Sequence, residues 1–155
     1  MLLVRHASTV AGTGDPPDFA LGRCETQRNL SAQGQAEARA MGAWFAKHTI
    51  KPQAVLTSQW CRCQDTARLA FGHSQDWPAL NSTFGGQCQH DAQMQALRQR
   101  LSQVAPNTLE VWVTHQVIMT GLTGAYPAMA EGFMVDPLGR LLARGMMGIG
   151  AAKGF

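Results

Sequence analysis

Met1-Leu2-Leu3-Val4-Arg5-His6 is the stretch that decides the fold. Its apolar residues read as a strand buried on both faces, and the run stops at a cation and an imidazole. Two more runs of this kind lie downstream. One is Ala54-Val55-Leu56-Thr57-Ser58; the other spans residues 109–114 and ends at His115. Segments with helical spacing lie between them. Ser31 is placed as the N-cap of a helix reaching about Lys47, with Ala36, Ala40, Met41, Trp44 and Phe45 on one side, and Pro52 blocks any continuation. A second helix is expected over residues 61–71. A third, capped by Asp91, should run to about Val104 with Met94, Leu97, Leu101 and Val104 on one face, and a short fourth covers residues 117–122. Asp136-Pro137-Leu138-Gly139 is a turn signal between Phe133-Met134-Val135 and residues 141–143, which predicts a terminal hairpin. The tail from Gly145 is expected to be loosely held.

Alternating strands and helices predict the α/β class, a three-layer sandwich around a mostly parallel central sheet. The chain has 155 residues, 45% of them hydrophobic, which suits one domain spanning residues 1–155. Two long polar stretches, residues 7–29 and 72–90, interrupt the pattern, and loops of that length in a compact domain are usually functional. Ligands of a parallel sheet bind beyond the carboxyl ends of its strands. The sequence puts Arg5, His6, Ser58 and His115 at those ends, with Arg62 one helical turn past Ser58. Two arginines and two histidines on one rim describe an anion site that contains a nucleophile.

Composition narrows the function classes. The net charge is +3, and no Lys/Arg cluster or basic-aromatic stripe occurs, so nucleic acid is not an expected partner. No apolar run is long enough to span a membrane. No export signal opens the chain, yet Met1 stands almost on the first strand, as it would in a trimmed precursor, so localisation stays open. The cysteines are Cys24, Cys61, Cys63 and Cys88. The single residue between Cys61 and Cys63 is too short for paired zinc ligands, and no His pair completes a site, so no metal and no cofactor is expected. Two readings of the thiols remain: a disulfide from Cys24 to Cys61 or Cys63, or free, partly buried cysteines. The phosphate loop, dinucleotide fingerprint, zinc-protease motif and nucleophile elbow are all absent, and no Cys has an Arg six positions on.

Four segments in order resemble the histidine phosphatase superfamily, the group of phosphoglycerate mutases and histidine acid phosphatases. Leu3-Val4-Arg5-His6-Ala7 resembles its apolar strand followed by Arg-His-Gly. Asn29-Leu30-Ser31-Ala32-Gln33-Gly34-Gln35-Ala36-Glu37-Ala38 is similar to its Asn-Leu-Thr-x-x-Gly-x-x-Gln-Ala helix start, and Ser58-Gln59-Trp60-Cys61-Arg62-Cys63-Gln64-Asp65-Thr66-Ala67 to its Ser-x-x-x-Arg-x-x-x-Thr-Ala. Val113-Thr114-His115 matches its Val-Ser/Thr-His, so the resemblance extends over roughly residues 1 to 125. It implies a phosphoglycerate mutase-like fold. It also implies His6 as covalent nucleophile, with Arg5, Arg62 and His115 completing a phosphate pocket.

The departures bear on mechanism. Ala7 replaces the usual Gly, and Gly12 stands near where a further Asn ligand is common. The mutase branch has a Glu after Leu-Asn; here Leu80-Asn81 is followed by Ser82. The acid phosphatase branch has an Asp after the second His; here Gln116 follows His115. Asp15 is the first candidate for the missing proton donor and Asp91 the second, although each also suits a plain turn or cap. Arg28 is a candidate for holding the distal part of the substrate. The expected function is a metal-independent phosphatase acting on a phosphorylated small molecule or phosphoprotein. Its small size, like that of the phosphohistidine phosphatases of the family, and the missing acid favour good leaving groups. The alternatives are a mutase-type phosphotransferase and a phosphate- or phosphoprotein-binding relative with weak turnover.

Overall fold

A computed structural model describes residues 1–83 and 90–148. Among these residues six strands form one sheet in the order β3-β2-β4-β1-β5-β6. β1 (Leu2–Arg5), β2 (Ala54–Thr57), β3 (Gln75–Asp76) and β4 (Glu110–Thr114) are parallel, while β5 (Glu131–Val135) and β6 (Leu141–Met146) complete the sheet antiparallel to their neighbours.

The central strands are buried on both faces, and side-chain alternation sorts them into two cores. Leu2, Val4, Val55, Val111 and Val113 pack with α1 (Ala32–Lys47) and α2 (Cys61–Phe71) through Met41, Phe45, Cys63 and Ala67. Leu3, Leu56, Trp112 and Phe133 pack on the other face with α3 (His90–Gln103) and α4 (Gln116–Thr123) through Leu97, Leu101, Ile118 and Met119. Helices on both faces of a largely parallel sheet make the expected three-layer sandwich. No helix among the described residues is long and apolar enough to cross a membrane.

Ser31 caps α1, its side chain accepting from the Gly34 N–H at 3.1 Å. The polar stretch after α2 hides the two-residue edge strand β3, which sequence reading misses. Both its side chains are exposed and only backbone pairing with Leu56 and Thr57 defines it. A 3-10 turn, Pro78–Leu80, then buries Leu80 completely. Asp91 is not the cap of α3: the helix starts at His90 and Asp91 lies exposed in its first turn. The hairpin turn forms as expected, with Asp136 Oδ1 accepting from the N–H groups of Leu138 and Arg140.

The loosely held tail needs correction over residues 145–148. Gly145 and Met146 belong to β6, and Met147 is 1% exposed. The missing side chain of Gly132 makes the room: a Cβ there would sit 2.7 Å from Met147 Cε. Residues 149–155 and Cys88 lie outside the described residues.

Candidate active site

Strand register brings the site together. β1 pairs Arg5 with Thr114 of β4, and β2 pairs Thr57 with Val113, so the three parallel strands end level. Each exit is fastened to the next strand: the His6 N–H donates to the Thr114 carbonyl at 2.9 Å and the Ser58 N–H to the Val113 carbonyl at 3.0 Å. His6, Ser58 and His115 therefore leave the sheet side by side, all buried. Three bonds pin the turn after His6: the Ala7 N–H donates to Thr66 Oγ1 at 3.0 Å, and Glu37 accepts from both the backbone and the hydroxyl of Ser8. The start of α1 presses against this turn so closely that a Cβ on Gly34 would lie 1.8 Å from the Ser8 carbonyl oxygen, so only glycine fits there.

The rings of His6 and His115 meet edge to face with centroids 5.5 Å apart. His6 Nδ1 lies 2.9 Å from the Ala7 carbonyl oxygen. A carbonyl can only accept, so the proton of the neutral ring sits on Nδ1 and Nε2 carries the lone pair. Burial, opposed by the bond to Ala7 and reinforced by the cations of Arg62, Arg5 and Arg28, pushes the His6 pKa down to about 3. The ring is thus uncharged at neutral pH, with Nε2 free of a proton, as a nucleophile must be.

His115 Nε2 lies 2.8 Å from Ser58 Oγ. The Ser58 hydroxyl donates to Asn81 Oδ1 at 3.1 Å, which also accepts from the Gln59 N–H at 2.8 Å. With its proton directed to Asn81, Ser58 Oγ accepts from His115 Nε2–H, leaving Nδ1 as the lone-pair nitrogen. Asn81 is itself held by Gln93, whose amide donates to the Asn81 carbonyl at 3.0 Å. Burial foremost, then His6, Arg62 and Arg5, lowers the pKa of His115 well below the ordinary histidine value. Neither Asn81 nor Gln93 carries a sequence signal for this support, since each reaches His115 only through tertiary contacts.

Arg62 stands in the first turn of α2 and is buried. Arg5 Nη1 donates to the Pro127 carbonyl at 2.9 Å, and Arg28 Nη1 donates to the Gly12 carbonyl. The three guanidinium groups are close enough to act on one another: burial first, then Arg28 and Arg62, lowers the Arg5 pKa, and burial followed by Arg62 lowers that of Arg28. In all three the Nε–H is buried without a hydrogen-bond partner among the described residues. Such donors are costly to bury and match the oxygens of a tetrahedral anion. The candidates Arg5, His6, Arg28, Arg62 and His115 are therefore brought to one place.

Asp15 also reaches this place, but in a setting opposite to that of a proton donor. It is the ion partner of Arg62, with Oδ1 2.7 Å from Nη1. Burial by itself would push its carboxyl up; the hydrogen bonds from Arg62, the Arg28 N–H and Trp60 outweigh that and hold it below the usual carboxylate range. A carboxylate kept ionised has no proton to give. Ser82, in the position of the expected Glu, is buried. The structure also chooses between the cysteine readings: Cys24 is bonded to Cys61, and Cys63 is a buried free thiol with its sulfur 3.5 Å from His115 Nε2. Burial pushes the Cys63 thiol up to about 12, which makes it inert.

Residues 1–116 match the histidine phosphatase superfamily (branch 1). The chain belongs to that superfamily. Among solved structures it resembles the protein histidine phosphatase SixA complexed with tungstate (TM-score 0.60, 16% identity, covering 95% of this chain and 96% of that one). It also resembles TTHB049 from Thermus thermophilus (TM-score 0.66, 19% identity, 99% and 98% covered). A third is the product of an open reading frame from Mycobacterium tuberculosis (TM-score 0.65, 16% identity, 95% and 97% covered). At these identities the likeness shows the shared fold. No curated protein matches the sequence.

Proposed function

We propose that the protein is a metal-independent phosphatase that hydrolyses a phosphomonoester or phosphoramidate through a phosphohistidine on His6. The observation that carries this reading is the tautomer of His6. Its bond to the Ala7 carbonyl leaves Nε2 unprotonated in a buried pocket with three guanidinium groups. In the first step Nε2 attacks phosphorus as the bond to the leaving group breaks, and the leaving group departs with that electron pair. In the second, water attacks the phosphohistidine, phosphate leaves, and the lone pair returns to Nε2. Arg5 and Arg62 stabilise the equatorial oxygens throughout, and charge stabilisation of this kind dominates phosphoryl transfer. His115 adds a donor to the phosphoryl group once its Nδ1 is protonated, which the dianion favours.

Asp15 is held ionised and Asp91 is exposed, so neither is set up to protonate a departing alkoxide. A missing general acid slows such a step by roughly 10² to 10⁴-fold, and leaving groups such as aryl oxide or imidazole need it least. SixA is a protein histidine phosphatase by name, and a phosphohistidine side chain on a protein is a phosphoramidate of this type. The test is to incubate the protein with an aryl phosphate, quench, and look for a phosphoryl group on His6 by mass spectrometry, with and without a chelator. Turnover that proceeds with no phosphohistidine, or only with added metal, would end this reading.

A further inference from the structure

Residues 7–29 form the loop over the site, and little of it is buried: residues 10–14, 16–18 and 21–25 are all exposed. Such a segment has almost no core of its own to fix its shape. Three consecutive residues at the start of α2 hold it. Trp60 donates its indole N–H to Asp15 Oδ2 at 3.1 Å and stacks on Phe19 with centroids 4.9 Å apart. Cys61 is bonded to Cys24, and its backbone N–H donates to Gln27 Oε1 at 2.9 Å. Arg62 donates from Nη1 to Asp15 Oδ1 at 2.7 Å and from Nη2 to Oδ2 at 3.3 Å. The Arg28 N–H adds a further bond to Oδ1 at 3.0 Å.

Asp15 thus takes the Nη1/Nη2 end of the Arg62 guanidinium and leaves its Nε edge, which is buried and has no partner among the described residues. A carboxylate that grips one edge of a guanidinium fixes its plane and so the direction of the remaining donors. The disulfide joins the loop to the residue next to Arg62, so both anchors act on one helix turn.

We propose that Asp15 is a positioning residue that aims Arg62 at the phosphoryl group, and that the Cys24–Cys61 disulfide holds its loop in place, so that reduction by a dithiol weakens the site's hold on phosphate. The proposal deepens the phosphatase reading and rests on it for the ligand. Reduction balances as a two-electron exchange: the dithiol supplies two electrons and two protons, the sulfur–sulfur bond breaks to give the Cys24 and Cys61 thiols, and the reductant becomes a disulfide. Cys24 is exposed, which gives the reductant its access, whereas Cys63 is buried.

The test measures binding of inorganic phosphate by calorimetry to the oxidised protein, the dithiothreitol-reduced protein, Cys24→Ser, Asp15→Asn, and reduced Asp15→Asn. Asp15→Asn should weaken binding by roughly 10- to 100-fold, the scale of a small misplacement of a binding group. Reduction and Cys24→Ser should each weaken it several-fold. Because both anchors act through one loop, reduction of Asp15→Asn should change its affinity by less than about twofold, the non-additivity expected of coupled groups. In a graded series of phosphate esters, Asp15→Asn should slow every member by a similar factor and keep any alkaline limb of the pH profile. Selective slowing of esters with poor leaving groups, with loss of that limb, would make Asp15 the acid and overturn the proposal. So would unchanged phosphate affinity in Asp15→Asn and after reduction, or fully additive effects. Reduction of the wild type needs no substitution, so the proposal stays exposed to failure even if Asp15→Asn does not fold. A wild type that binds no phosphate overturns the phosphatase reading itself; one that binds phosphate indifferently to Asp15 and the disulfide overturns only the latch.

Discussion

His6, Ser58 and His115 owe their places to strand register, whereas Asp15 and Arg28 owe theirs to a few contacts on the first turn of α2. On the rim, each group follows a strand buried on both faces, and level strand ends set their mutual distance. On the loop, an ion pair, one ring stack and one disulfide do the corresponding work. In the proposed mechanism the difference separates two jobs: the rim carries the nucleophile, which must not move, and the loop positions the cations around it.

Removal of the nucleophile should give the largest effect. His6→Ala should lower turnover of an aryl phosphate by about 10⁴-fold or more, the scale seen when a covalent nucleophile is lost, while the fold persists. Retained turnover would show that the rim does not house the chemistry. Next comes the framework. Leu3 is fully buried between β1's neighbours and the α3/α4 layer, so Leu3→Ala should cost roughly 2–5 kcal/mol of stability in a urea melt. A loss no larger than that of a loop variant would contradict the division drawn between rim and loop.

Acidification tests the rim's burial. An unfolded imidazole takes up its proton near pH 6.5, but folded His6 does so only near 3 and folded His115 well below its ordinary value. Between those limits the unfolded state binds more protons, so these histidines leave stability intact above about pH 6.5 and erode it as the pH falls towards 3. The slope should approach about 1.4 kcal/mol per pH unit for each imidazole. Asp15 acts in the same direction at lower pH: its folded pKa is depressed, so its contribution is present above the usual carboxylate range and is lost as pH falls through the folded value. Urea midpoints at pH 7 and pH 5 check the sign, and His6→Ala should remove one imidazole's share of the slope. Equal stability at the two values would rule out the buried neutral pair.

The same division governs what the sequence reveals. β1, β2 and β4 are legible because burial on both faces leaves an unbroken apolar run, and Arg5, His6 and His115 are legible as the residues that end those runs. β3 is not, because Gln75 and Asp76 pair through backbone alone. The role of Asp15 is not legible, because a carboxylate before a proline looks the same in sequence whatever it touches; its partner Arg62 is 47 residues away. The disulfide stays open for the same reason, since only the folded loop brings Cys24 to Cys61 rather than to Cys63. Asn81 and Gln93 emerge only when the Pro78–Leu80 turn brings Asn81 to Ser58 and α3 brings Gln93 to Asn81.

The smallest expected effect tests the loop where it is least charged. Phe19 stacks on Trp60, and Trp60 in turn meets His115 edge to face at 5.3 Å, so one aromatic contact links the loop to the rim. Such pairs contribute roughly 0.5–1.5 kcal/mol beyond their buried area. Phe19→Ala removes that contact without touching a charged group or the disulfide. Because loop opening and global unfolding are separate equilibria, the loss should appear mainly as easier opening of residues 7–29. Trypsin reports it directly, since Arg23 is exposed in the middle of the loop: cleavage there should quicken several-fold while the thermal midpoint moves little. Phosphate affinity should fall by no more than about the same factor, because Asp15 and the disulfide still hold the loop against Arg62. Unchanged cleavage at Arg23 would mean that the stack carries no weight and that the two anchors alone fix the loop. A large drop in thermal midpoint would mean that the loop is part of the framework after all.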